Sequence, residues 1–291
     1  MAKNFLPEPI MIKGKNSSRI ALYQYTNKAS TSPPVIMTHG TFSNAKICAE
    51  LAEFLNSNGF ECWIYEWIGH GQSEYGTLYP DVEDFAFNDV PKVIQTVLEK
   101  TNKASCIWAA HSGGGFLPLI YMARNLHRQH EIVKLVGIGS QTTGAGRTWL
   151  GKLSTIIVPI IIQILGKVPG PLFGLGPEDE VSGFLNQWCK WNSSGKWLGK
   201  DGFNYSKAMK DIHIPTFMIA GKNDFIAPPS GCREILQLLG STQKKYVLCS
   251  KAAGFKENYN HTRLIASQNS KIEIWPMVLE FINSQNITKN Q

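Results

Sequence analysis

The chain has 291 residues, a formal net charge of +7, 43% hydrophobic and 18% charged residues. That profile gives a globular protein with a sizeable core and excludes extended disorder outside the polar ends MAKNF and NITKNQ, which are expected to fray. Lys and Arg are scattered with no run of four, which argues against nucleic acid as a partner.

In chain order, IMIKG and RIALYQY read as extended segments, and PPVIMTHG as a buried strand. SNAKICAELAEFLNSNGF places Ile47, Leu51, Phe54 and Leu55 at helical spacing, with Gly59 where a left-handed cap is wanted. ECWIYEWIG is the next strand. NDVPKVIQTVLEK is a helix, with Asp89 as expected cap, Pro91 in the first turn and Val90, Val93, Ile94, Val97 and Leu98 on one face. The strand ASCIWAA leads into the helix GGFLPLIYMARNLHRQ, and VKLVGIG is the sixth strand. After it, PTFMIAG, a helix around CREILQLLG, the strand KKYVLCS and a helix around IEIWPMVLEFI resume the alternation. Such alternation predicts an α/β fold, a mostly parallel sheet flanked by helices on both faces.

Residues 142–208 break this rhythm. They carry GKVPGPLFGLGPEDE, four of the eight tryptophans and the apolar run LSTIIVPIIIQIL. A segment this long between two strands reads as a lid. The expected division is therefore a core of residues 1–141 and 209–291, with a helical cap at 142–208 inserted after the sixth strand. A helix apolar on every side must be buried or touch lipid or substrate, so Ile161 and Ile162 are expected to line the pocket. Pro159 is expected to kink this helix or mark its start. The run falls short of the ~20 residues of a spanning helix, so it is not an ordinary membrane anchor.

The six cysteines form no C-x-x-C pair, so zinc and redox motifs are absent and no metal is expected. No basic segment with an apolar core and cleavage site opens the chain. Together these favour a cytoplasmic setting.

The stretch AAHSGGG, residues 109–115, sits between the strand ASCIWAA and a helix. Against the pattern G-x-S-x-G it reads Ala110-His111-Ser112-Gly113-Gly114, with alanine in the first place. Small neighbours let a strand turn into a helix within a few residues, and the strained turn exposes the serine oxygen. The helix N-terminus and the next backbone N–H, that of Gly113, then face a developing oxyanion. A serine nucleophile needs a base, and the base an orienting carboxylate. Ligands of parallel sheets bind at the carboxyl ends of the strands. Asp224 follows PTFMIAG at that edge, whereas Asp211 and His213 precede the same strand. His127 and His130 end the helix after Ser112 and are remote, and His111 is expected to point away from Ser112. His261, after the last strand, is the expected base, with His39 and His70 as loop hydrogen-bonding residues at the same edge. The order is Ser112, Asp224, His261, with Glu66 as the substitute acid.

At this point the chain resembles the α/β-hydrolases over nearly its full length. THGT (38–41) is similar to that family's H-G loop, which implies that Thr41 N–H is the second oxyanion donor. EWIGHGQS (66–73) resembles the D-x-R-G-H-G-x-S loop, departing at Glu66 and Ile68. AGKNDFIAPP resembles the acid-residue loop and YNHTRLI the histidine loop, with Arg263 in place of the aspartate of the N-H-x-D form. The resemblance implies the α/β-hydrolase fold and a cofactor-independent serine esterase. The aromatic cap suits a small-molecule ester with hydrophobic groups. An acyltransferase or thioesterase on the same residues, a non-catalytic apolar-ligand binder and peripheral lipid contact stay open, as does the oligomeric state.

Overall fold

A computed structural model describes residues 6–77 and 80–284; the two polar ends lie outside this set. Its strands are short apolar runs whose alternate side chains enter different cores. Ile107 and Ala109 join one cluster with Met37, Ile64 and Phe217, while Trp108 and Ala110 join another with Ile36, Trp63 and Trp67. A sheet buried on both faces has this signature, since the side-chain period of a strand is two.

The strands are β1 (Ile10–Lys13), β2 (Arg19–Tyr25), β3 (Val35–Thr38), β4 (Cys62–Tyr65), β5 (Cys106–His111) and β6 (Ile132–Ile138). Two-residue strands β7 (Lys167–Val168) and β8 (Glu180–Val181) pair separately, and β9 (Thr216–Gly221) and β10 (Lys244–Cys249) complete the main sheet. Its order is β1-β2-β4-β3-β5-β6-β9-β10, eight strands, antiparallel only between β1, β2 and β4. This is the α/β-hydrolase fold. Because β3, β5, β6, β9 and β10 run parallel, the loops that follow them gather at one edge.

Two local expectations change and a third is narrowed. The helix expected to begin at Asp89 is preceded by ordered turns from Val82, where Asp81 and Asp84 form a capping box. Asp89 itself lies in a wide turn, Phe85–Asp89, that aims its carboxylate inward at the Tyr65 hydroxyl, 3.0 Å away. The C-terminal helix is two, Gln268–Glu273 and Trp275–Asn283. Pro159 lies inside the helix Trp149–Leu165, well past its start.

Between β6 and β9 the chain forms that helix, a short one at Gly170–Phe173, a longer one at Ser182–Ser194 and a single turn at Tyr205–Ala208. Along Trp149–Leu165 a four-residue stripe faces inward: Leu150, Ser154 and Val158 border a cavity. Ile162 continues the stripe past the cavity, into a small cluster with Val168 and Leu185. The opposite stripe, Trp149, Leu153, Ile156, Ile160 and Ile164, is exposed. Ile161 and Ile162 therefore do not line the cavity. The helix is apolar all round, so periodicity alone could not say which stripe faces in.

Candidate active site

β5 ends in His111 with extended backbone, and the next residue, Ser112, takes φ 53°. Left-handed backbone at a non-glycine residue costs of order 1–3 kcal/mol and persists only where its surroundings enforce it. Here the loop after β3 does so. A Cβ on Gly40 would overlap Ser112, and one on Gly114 would overlap the carbonyl of His39. The two loops interlock because both positions lack a side chain, which answers why glycines follow the serine.

Asp224 follows β9 in a tight turn. Its Oδ1 accepts the N–H groups of Ile226 (3.0 Å) and Ala227 (2.8 Å), and its Oδ2 lies 2.7 Å from His261 Nδ1. The carboxylate is fully buried, while the imidazole keeps 13% exposure. With Nδ1–H donated to Asp224, Nε2 of His261 is left as an acceptor, the tautomer a hydroxyl-activating base needs. Ser112, His261, Thr41 and Gly113 all border one cavity of about 420 Å³. Thr41 N–H has no acceptor among the described residues. Most of the remaining wall is apolar or aromatic, including Phe116, Phe184, Trp188, Leu175 and Phe225.

The other histidines sort by their partners. His39 places Nδ1 2.8 Å from Gly40 O and accepts Trp67 N–H at Nε2 (3.1 Å). Burial, with His70 nearby, holds its pKa well below the ordinary value. His70 reaches across to the segment between β6 and β9, where Glu180 Oε2 lies 3.3 Å from its Nε2, both side chains fully buried. Burial disfavours the charged imidazole, but the Glu180 carboxylate outweighs it and the pKa is raised. Glu66 accepts from the Tyr23 hydroxyl (2.7 Å), Ala45 N–H (2.9 Å) and Gln72 N–H (2.7 Å), and so ties loops together.

His111 departs from expectation. Its ring lies 4.5 Å from that of His261, and its Nε2 is 3.1 Å from the carbonyl of His261. It also borders the cavity. Burial, with His261 close by, lowers its pKa to about 3, so the ring is neutral and Nε2–H donates to that carbonyl. No signal in the sequence joins residues 111 and 261; a histidine before the serine was the only visible clue.

The family described as serine aminopeptidase, S33 matches residues 30–171. A monoglyceride lipase of Saccharomyces cerevisiae is 24% identical over 235 residues, covering 74% of each chain. The crystal structure of a Paleococcus ferrophilus monoacylglycerol lipase superposes with a TM-score of 0.61 at 18% identity, over 90% of this chain and 98% of that one. A carboxylesterase structure from the thaumarchaeon Nitrososphaera gargenis gives 0.67 at 14% identity, over 94% and 98%.

Proposed function

We propose that this chain, which has the α/β-hydrolase fold, is an esterase- or lipase-like enzyme that hydrolyses carboxylic esters bearing an extended apolar group through Ser112, His261 and Asp224. Ser112 Oγ adds to the ester carbonyl as His261 Nε2 takes its proton. The oxyanion is met by the N–H groups of Thr41 and Gly113. The tetrahedral adduct collapses, the alcohol leaves with the proton from His261, and an acyl group remains on Ser112. Water, deprotonated by the same imidazole, then adds to the acyl carbonyl and frees the acid and Ser112. Asp224 fixes the tautomer and stabilises the imidazolium. The observation that carries this reading is the strained Ser112 bordering the same cavity as a histidine held by a buried carboxylate.

In this reading residues 142–208 are the cap, and the apolar wall they contribute takes the acyl chain. The outer stripe of Trp149–Leu165 is exposed, as are Leu172, Phe173 and the cavity-lining Phe225. Large apolar side chains exposed in such number mark a contact site, and lipid is the partner that would also deliver apolar esters to the cavity. No helix among the described residues is long and apolar enough to cross a membrane.

The test is Ser112→Ala on a graded series of acyl esters, with fluorophosphonate labelling of the wild type. Loss of a triad serine costs on the order of 10⁶ in kcat, and labelling should vanish with it. Retention of a tenth of the turnover would refute the assignment. Product analysis with added alcohol separates hydrolysis from acyl transfer.

A further inference from the structure

Phe42 follows Thr41 and has φ 59°, a left-handed conformation that a bulky aromatic residue rarely adopts. Its backbone N–H and carbonyl are both tied to the cap. Its N–H donates to Glu180 Oε2 (3.2 Å), and its carbonyl accepts Glu178 N–H (3.2 Å). Its ring packs on Ile162, Val168 and Leu185. Gly176 lies so close that an added Cβ would collide with the Phe42 carbonyl. The next turn is tied as well, Asn44 Nδ2 donating to Glu178 Oε1 at 2.6 Å.

We propose that Glu180 of the cap is a positioning residue for the oxyanion loop, so that cap closure completes the oxyanion hole by holding Phe42 in its strained conformation and Thr41 N–H toward the reacting carbonyl. The proposal rests on the triad reading above and adds the dependence of one oxyanion donor on the cap. Glu180 is equipped for this. A buried carboxylate is stable only when its oxygens find donors or cations, and those of Glu180 meet His70 Nε2, Phe42 N–H and its neighbour's Val181 N–H (3.3 Å). Its partners thus come from the loops after β3 and β4 and from the cap itself. When the cap lifts, Phe42 loses its N–H acceptor, its carbonyl donor and its ring contacts together. The strain at residue 42 then has nothing to balance it, and as the backbone there relaxes the adjoining Thr41, with its N–H, is no longer held in place.

Glu180→Ala, Glu180→Gln and Gly176→Ala test this on a soluble short-chain ester, with folding checked by thermal melt. Removing an oxyanion donor costs about 10²–10³ in kcat, so displacing one should lower kcat about tenfold to a hundredfold with KM nearly unchanged. Glu180→Ala and Gly176→Ala should both show that split, while Glu180→Gln, which keeps an acceptor for Phe42 N–H, should largely restore kcat. If Glu180→Ala fails to fold, Gly176→Ala decides, because it acts on the Phe42 carbonyl and leaves the buried pair alone. Wild-type kcat in the folded variants, or a raised KM with kcat intact, overturns the proposal. Unchanged hydrolysis by Ser112→Ala would instead remove the triad reading beneath it.

Discussion

That Ser112, Asp224 and His261 gather at one edge was legible, because Ser112 and Asp224 closely follow parallel strands and His261 lies in the loop after the last one, and strand ends can be read from sequence. Asp224 sits two to three residues before the N–H groups its other oxygen accepts, so the local turn fixes the carboxylate before His261 arrives. The partners of that trio were not legible. Phe42 and Glu180 are 138 residues apart, and His111 meets His261 across 150; no periodicity links such positions. Asp224→Asn tests the acid assignment. The amide can accept from Ile226 and Ala227 as before, yet it can also present N–H to Nδ1 and so favour the unproductive tautomer. With geometry intact, such a change lowers kcat by about 10⁴. A loss below tenfold in initial-rate assays would mean that another carboxylate orients His261.

Among the elements, the helix Trp149–Leu165 was recognisable as apolar and too short to span a bilayer, but not which side faced in. The structure divides it: Leu150, Ser154 and Val158 toward the cavity, Trp149, Ile156, Ile160 and Ile164 toward solvent. Two faces with separate tasks should respond separately to substitution. Val158→Trp fills cavity space, so it should shift preference toward short acyl esters while vesicle binding stays as in the wild type. Ile164→Lys, at a position 74% exposed, should weaken co-sedimentation with phospholipid vesicles and leave hydrolysis of a soluble acetate ester unchanged. A wild-type acyl profile in Val158→Trp would remove the helix from the acyl site. Undiminished sedimentation of Ile164→Lys would leave the outer stripe without its lipid role.

For the whole molecule, the alternation of strands and helices was enough to place both cores, because a parallel sheet demands apolar residues on both faces. It could not show that one core also swallows a carboxylate. Asp89 is almost fully buried, with the Tyr65 hydroxyl as its partner. Burial raises its pKa from the ordinary 3.8 to about 8, so at neutral pH the folded protein keeps a proton there that the unfolded chain has released. The sign follows from proton counting. Between those two values the native state binds more protons, so this group's contribution is full below about pH 4 and is lost as pH rises toward 8. The loss is at most about 1.4 kcal/mol per pH unit. Asp89→Asn keeps an oxygen for the Tyr65 hydroxyl but cannot titrate. His39, His70 and His111 are also shifted, but they are common to both proteins and cancel in the difference. Thermal melts of the two across pH 4.5 to 8 should therefore diverge, with the Asn variant gaining on the wild type at each step upward. A constant gap between the curves would show that Asp89 is already ionised in the folded protein, and that its pocket admits enough water to solvate the charge.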